Sequence, residues 1–491
     1  MSTSSGAMHH PRGLYTLFFT EMWERFSYYG MRALLVLFMV AAIKDDGLGL
    51  TDKTATAIYG LYTAAVYVTN LPGGWIADRL IGQQRAVFWG GVIIAIGHFT
   101  LAIPSEQTFF LGLVFVSLGT GLLKPNASTI VGDLYPEGGA RRDAGFSIYY
   151  VGINLGGAIG PLVCGILGQK INWHYGFAAA GVGMVLGLIQ YRVTQKHLGE
   201  HGKYPEPAST GFTRRAWGWT IACLIGLGVV VLLAMGGALV INPVALSKYA
   251  GVVIVVLGAG FMLWLAFFGG LSAREKRHLA VLAILFAGSV LFWAGYEQAG
   301  SNFNLFAQRY TDRNIFGWTA PASWFQSLNS VYIIILAPFF ASMWIWLARR
   351  NLNPSIPAKF ALGLVFLGLG FFVMYGAAQI VVAGSNVLPT WLILTYFLHT
   401  VGELSLSPIG LSATTKLAPR RFGGRMMGMW FVATALGELL AGLIAGQFSA
   451  KDISDMPHIY FELAAVLVGV GILFMVAARP LQKYLIGEDI E

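Results

Sequence analysis

A run of about 20 apolar residues lets one helix cross the hydrocarbon core of a bilayer, and this chain carries fourteen such runs. They lie near 14–43, 54–77, 86–104, 107–132, 143–166 and 173–192, then 215–239 and 246–271. The rest lie near 278–299, 321–348, 357–383, 389–416, 423–447 and 458–481. In lipid every backbone N–H and C=O must be satisfied internally, which segments of this length achieve as helices. The pattern predicts an all-α polytopic membrane protein with fourteen transmembrane helices. Composition agrees, with 56% hydrophobic and only 11% charged residues, against about 25% charged in soluble domains. A soluble enzyme is excluded. The net charge of +9 comes from Lys and Arg scattered over short loops, so no nucleic-acid partner is expected.

Those basic residues predict a topology. Of the 32 Lys and Arg, 22 fall on the side of the N-terminus and three, Arg25, Arg32 and Lys124, within spans. Seven fall opposite: Lys44, Lys53, Lys170, Lys248, Arg309, Arg313 and Lys451. Cytoplasmic loops carry the excess of Lys and Arg, so both termini are expected in the cytoplasm, with the chain in the cell (inner) membrane. The first span carries four charges and follows the polar start MSTSSGAMHHPRG, unlike the apolar core of a cleavable signal. Cys164 and Cys223 sit in apolar runs and are expected to pack. No histidine pair has metal-ligand spacing, and no GxxxxGK[ST] loop is present. No metal, catalytic group or cofactor is expected, and ATP drive is excluded.

An internal repeat organises the spans. Pro125 and Pro136 are eleven residues apart, as are Pro408 and Pro419, and nine residues beyond each pair lie Gly145 and Gly428. Trp23 and Gly30 match the spacing of Trp293 and Gly300. The span at 14–43 thus aligns with that at 278–299, and 107–132 with 389–416. Two six-helix bundles, 1–192 and 278–491, are predicted, joined by 193–277 with an inserted helical pair. Secondary transporters are built from such repeats, with the site at the repeat interface near mid-membrane.

Charges inside spans mark the candidate site, since each costs about 2.5–3.5 kcal/mol at the bilayer centre on insertion scales. Glu21, Glu24, Arg25, Tyr28 and Arg32 fall at offsets 0, 3, 4, 7 and 11, one face of a helix. That stripe meets either a water-filled cavity or a buried ion-pair network. Lys124 precedes Pro125 in GTGLLKPNAST, where a helix loses a hydrogen bond. The repeat pairs Lys124 with Ser407 and Glu403 with Thr120, placing opposite charges one turn apart in depth. Such an arrangement suits a ligand charged at both ends, or mutual neutralisation. Glu297 is the one charge of FWAGYEQAGSN, and a desolvated carboxylate holds a proton near neutral pH. Glu438 reads as structural. Tyr28 and Trp293 share segments with these charges and suit a pocket lining, against the interfacial belt expected of most aromatics.

Several motifs together resemble one family. EMWERFSYYG (Glu21 to Gly30) resembles the ExxERFxYYG motif of the proton-dependent oligopeptide transporter (POT) family, and GGWIADRLIGQQR (Gly73 to Arg85) its loop signature, shared across the major facilitator superfamily. FSIYYVGINLG (Phe146 to Gly156) resembles the FYxxINxG signature, with Tyr149 where Phe is usual. GTGLLKPN, YEQAGS and GELSLSPIGLS are similar to further transport-helix segments, so the resemblance spans the chain. It implies a major facilitator fold of prokaryotic type and symport of di- and tripeptides with protons by alternating access.

The resemblance also implies roles. Lys124 and Arg32 take the peptide carboxylate, and Glu403, with Asn329 and Ser407, the peptide amino group. Asn154 and Asn329 bond the peptide backbone, while Tyr28, Tyr29, Tyr67, Trp293 and Trp430 line the pocket. Glu21, Glu24, Arg25, Lys124 and Glu297 couple the proton, with Arg32 and Glu297 as a gate pair. Animal members place a functional His in the second helix, and 54–77 has none, so coupling here falls to carboxylates. Two other readings compete. Plant relatives that move nitrate and other anions lose the full ExxER pattern, which this chain keeps. A membrane-embedded enzyme would need a convergent nucleophile, metal set or cofactor motif, and none is present.

Overall fold

The computed structural model describes residues 10–448 and 453–486; Lys451, one of the seven basic residues placed opposite the N-terminus, lies outside them. The described residues form helices α1 (Arg12–Val40), α2 (Asp52–Ile76), α3 (Gln83–Leu101), α4 (Glu106–Asp133), α5 (Gly139–Ile166) and α6 (Trp173–Thr194). Next come α7 (Thr210–Met235), α8 (Pro243–Phe268), α9 (Ala273–Tyr296) and the short α10 (Asn302–Tyr310). The chain continues with α11 (Ser327–Arg349), α12 (Ile356–Val382), α13 (Thr390–Leu417), α14 (Gly423–Ala445) and α15 (Met456–Pro480). Each apolar run has its helix, so the fourteen-span, all-α expectation holds.

The starts follow local chemistry. Ser272 and Glu275 form a reciprocal capping box before α9, satisfying two amide donors that no helical carbonyl can reach. Ser209 caps α7 and Asn172 caps α6 through their side-chain oxygens. Pro357 occupies the first turn of α12, where its missing N–H costs nothing.

One span departs from the expected 278–299. It runs over Ala273–Tyr310 and is broken by a tight turn at Glu297–Gly300. Ser301, at φ −118° and ψ −86°, leaves the helical region. The Gln298 amide donates to the carbonyls of Ala294 and Ala441, both at 3.1 Å. A side chain thus replaces lost backbone bonding, the condition for a broken helix at membrane depth. Glu297 sits at that break.

The chain divides into two compact units. One comprises residues 1–38, 43–48 and 65–242, the other 39–42, 49–64 and 243–491. The division runs through α2 and between α7 and α8. Both α7 and α8 are exposed along most of their length, so their apolar side chains are left to face lipid.

Small residues set the close crossings of the first unit. On α5, a Cβ at Gly152, Gly156 or Gly160 would stand 2.9, 2.1 or 2.4 Å from the carbonyls of Phe18, Met22 and Phe26 on α1. The contacts advance in step, so the two helices run in the same direction, with the small-xxx-small spacing that lets helix backbones touch in membranes. Between α2 and α4, a Cβ on Gly73 would meet the Gly121 carbonyl at 2.0 Å. Pro125 cannot donate to that carbonyl, which instead faces the bare Cα of Gly73.

This crossing yields a paired test. Gly73→Ala forces α2 away from α4, an overpacking cost of about 1–3 kcal/mol, whereas Gly74 has no atom within 4 Å of its Cβ position. In detergent melts Gly73→Ala lowers the melting temperature and Gly74→Ala does not; equal melts for the two would contradict the crossing.

Candidate functional site

The α1 stripe is a buried charge network. Glu21, Glu24 and Arg25 are each 2% exposed or less. Arg25 donates through Nε and Nη2 to both carboxylate oxygens of Glu24, and its Nε lies 3.6 Å from Glu21 Oε1. Isolated charges would be expelled from such a site, and the fork geometry of guanidinium on carboxylate is what makes their burial tolerable. The rest of the guanidinium is covered by aromatic faces, with Tyr28 and Tyr29 centred 4.6 and 5.6 Å from Arg25 Cζ. Tyr29 also lies 5.5 Å from Arg32 Cζ. Cation and ring quadrupole attract in this arrangement.

Three further helices complete the cluster in the same unit. From α4, Lys124 lies near enough for its charge to act on Glu21, with its Nζ 5.4 Å from the centre of the Tyr67 ring on α2. From α5, the Tyr149 hydroxyl donates to Glu21 Oε2 at 2.8 Å. Asn154, also on α5, is buried and donates to the Tyr150 carbonyl at 2.9 Å. Glu21, Glu24, Arg25, Tyr28, Tyr29, Lys124 and Tyr67, singled out from sequence, are thus assembled from three helices.

A second cluster lies in the other unit, around Glu403 on α13. Its Oε2 accepts from the Tyr296 hydroxyl at 2.5 Å and from Asn329 Nδ2 at 2.9 Å. Asn329 also reaches Thr400 Oγ1 at 3.1 Å, which stands one turn before Glu403 on the same helix. Ser407 follows one turn after and is half-buried. Trp293 packs edge-on to Tyr296 at 5.4 Å between ring centres. Glu297 is buried at 3% exposure, directly after Tyr296 at the helix break. Trp430 is buried against Gly410, Phe286 and Phe360.

Three members escaped the sequence reading. Tyr149 stood out only as a departure from the FYxxINxG signature, with no signal of its bond to Glu21. Tyr296 is the neighbour of Glu297 in YEQAGS, but adjacency along a chain says nothing of a bond to Glu403. Thr400 lies three residues before Glu403, and that spacing on one helical face was its available signal. Among the described residues no group of three His, Cys, Asp or Glu is placed to hold a metal ion.

Comparison with known proteins decides the family. The family model described as POT family matches residues 84–463. The chain belongs to the POT family. A peptide transporter, YePEPT, from Yersinia enterocolitica is 41% identical over 98% of this chain and 97% of its own length. An uncharacterized transporter, YclF, from Bacillus subtilis is 44% identical over 96% of this chain and 94% of its own. A crystal structure of a peptide transporter POT in complex with sulfate superposes with a TM-score of 0.90 at 39% identity, covering 98% of this chain and 97% of that one. A POT family transporter in complex with a thioalcohol-conjugated peptide gives 0.88 at 34% identity, covering 97% and 98%. The family resemblance and the major facilitator fold expected from the motifs are therefore correct.

For this POT protein the α1 network predicts a large stability effect. Glu24→Ala leaves Arg25 buried without its forked partner, which costs about 3–5 kcal/mol. Lys203→Ala breaks an exposed pair with Glu200 and changes little. Detergent melts should show a drop of several degrees for the first alone; similar melts would mean that the Arg25 charge is solvated.

Proposed function

We propose that this POT-family chain is a proton-coupled symporter that imports di- and tripeptides by alternating access. The observation that carries the reading is the pair of charge clusters. One presents Lys124 beside the Glu21–Glu24–Arg25 network, and the other presents a Glu403 carboxylate aligned by Tyr296 and Asn329. A zwitterionic peptide needs a cation for its carboxylate and an anion for its ammonium group, each held at a fixed position. The 41% identity to a peptide transporter over nearly the whole chain supports the same substrate class.

In this reading Lys124 and Arg32 take the peptide carboxylate. Glu403, with Asn329 and Ser407, takes the amino group, while Asn154 and Asn329 bond the peptide backbone. Tyr28, Tyr29, Tyr67, Trp293 and Trp430 shape the space for side chains. Lys124 alternates between the Glu21 and Glu24 carboxylates when empty and the peptide carboxylate when loaded. Glu297 takes a proton at the break between α9 and α10 and pairs with Arg32 as the gate. Protonation removes the Glu297 charge, releases Arg32 and favours opening to the outside, because the proton binds the two states unequally.

The bundles are assigned to 1–192 and 278–491, with 193–277 as the inserted pair. The chain sits in the cell (inner) membrane among lipid with both termini in the cytoplasm. Protons are the coupling ion and no cofactor is required.

Proteoliposomes with an imposed proton gradient test the function: dialanine accumulates and excess nitrate does not compete. Absence of gradient-driven dialanine uptake, or competition by nitrate, would overturn it.

Glu403→Gln tests the amino-group role. It weakens free dialanine binding by about tenfold, the value of one charge-assisted hydrogen bond, and leaves N-acetyl-dialanine binding unchanged. Parallel losses for both peptides would remove Glu403 from that role. Glu297→Gln imitates the protonated carboxyl, so gradient-driven uptake is lost while peptide counterflow persists. Wild-type accumulation by this variant would refute the gate.

A further inference from the structure

The α1 network contains a hydroxyl that the coupling scheme above does not use. Tyr149 is 3% exposed, projects from α5, and donates to Glu21 Oε2 at 2.8 Å. Its oxygen lies 3.5 Å from Ser128 Oγ on α4, and Ser128 donates in turn to the Lys124 carbonyl at 3.3 Å. Glu21 is thus held differently on its two oxygens: Oε1 faces the Arg25 guanidinium at 3.6 Å, and Oε2 faces a neutral donor. The other charges acting on Glu21 are Glu24 on α1 and Lys124 on α4.

Arg25 is already committed to both oxygens of Glu24, and the Tyr149 hydroxyl, at 2.8 Å, stands closer to Glu21 than Arg25 does at 3.6 Å. A hydrogen bond given to a carboxylate stabilises its charged form. Once Glu21 is protonated it needs that bond less, and Ser128 offers the phenol a second acceptor close by. Phenol rotation costs little, because one O–H turns while the ring stays packed. The helix that carries Ser128 also carries Lys124, four residues earlier.

We infer that Tyr149 is a positioning residue for proton coupling: its hydroxyl holds Glu21 as the anion and passes to Ser128 when Glu21 takes a proton, so Tyr149 sets the pH at which the α1 network loads. The inference rests on the proton-coupled reading above. It assigns to this chain's tyrosine a task that a phenylalanine at the same place lacks the atom to perform.

The experiment compares the wild type with Tyr149→Phe in the full-length transporter reconstituted in liposomes. Infrared difference spectra follow the carboxylic C=O band that Glu21→Gln removes, titrated against pH. Loss of the donor destabilises the anion, so the band appears at a pH higher by about one unit. The half-maximal pH of gradient-driven dialanine uptake moves the same way. A monofluorinated tyrosine at position 149 keeps the ring and is a stronger donor, and it moves both midpoints to lower pH. This opposite displacement separates donor strength from any packing defect and serves if Tyr149→Phe melts early.

An unmoved Glu21 band in both variants overturns the contact. A moved band with unmoved uptake overturns the coupling role. Failure of the wild type to accumulate dialanine on a proton gradient would instead overturn the symport reading and with it the coupling role, while the band titration still judges the contact.

Discussion

The cost of placing charge in a bilayer governs this structure. Three charged side chains in the middle of α1, Glu21, Glu24 and Arg25, cannot be tolerated singly, and their mutual contacts are how the chain tolerates them together. Two helix crossings of the first unit serve that arrangement. The glycines of α5 bring its backbone onto α1, which carries Tyr149 within reach of Glu21. The Gly73–Gly121 crossing seats α2 against α4, which sets Tyr67 beside Lys124. Buried ion pairs contribute little net stability against apolar substitutes. Their retention here makes sense as function: a network whose members must each be satisfied responds as a whole when one of them gains a proton.

The second unit meets the same constraint with neutral donors. Tyr296 and Asn329 supply hydrogen bonds to Glu403, which orient its carboxylate without neutralising it. That difference suits two tasks. A carboxylate paired with arginine has its charge balanced inside the network, whereas one held by neutral groups keeps its charge available for an ammonium ligand. Glu297 occupies a third setting, at a break in its span where Gln298 takes over backbone bonding.

Much of the fold was legible in the sequence because the bilayer leaves few choices. A run of twenty apolar residues in lipid must be a helix, and all fourteen runs are. The charged stripe on α1 followed from 3.6-residue periodicity, since Glu21, Glu24, Arg25 and Tyr28 can share only one face. The Pro and Gly repeat pointed to two six-helix bundles, and the ExxER pattern with its companion motifs pointed to the family.

Local pattern fails where partners come from distant segments. The bond from Tyr149 to Glu21 joins residues 128 positions apart, and that from Tyr296 to Glu403 spans 107; only helix crossings bring such pairs together. The break in the span at Glu297 was also hidden, because Gln298 compensates it through a carbonyl of α14, which periodicity along one helix cannot report. The sequence by itself determined which segments cross the membrane and which faces bear charge, since transfer free energy depends on composition and spacing alone. The tertiary structure decided which oxygen meets which donor, because hydrogen bonds depend on ångström-scale distances that the glycine-lined crossings set.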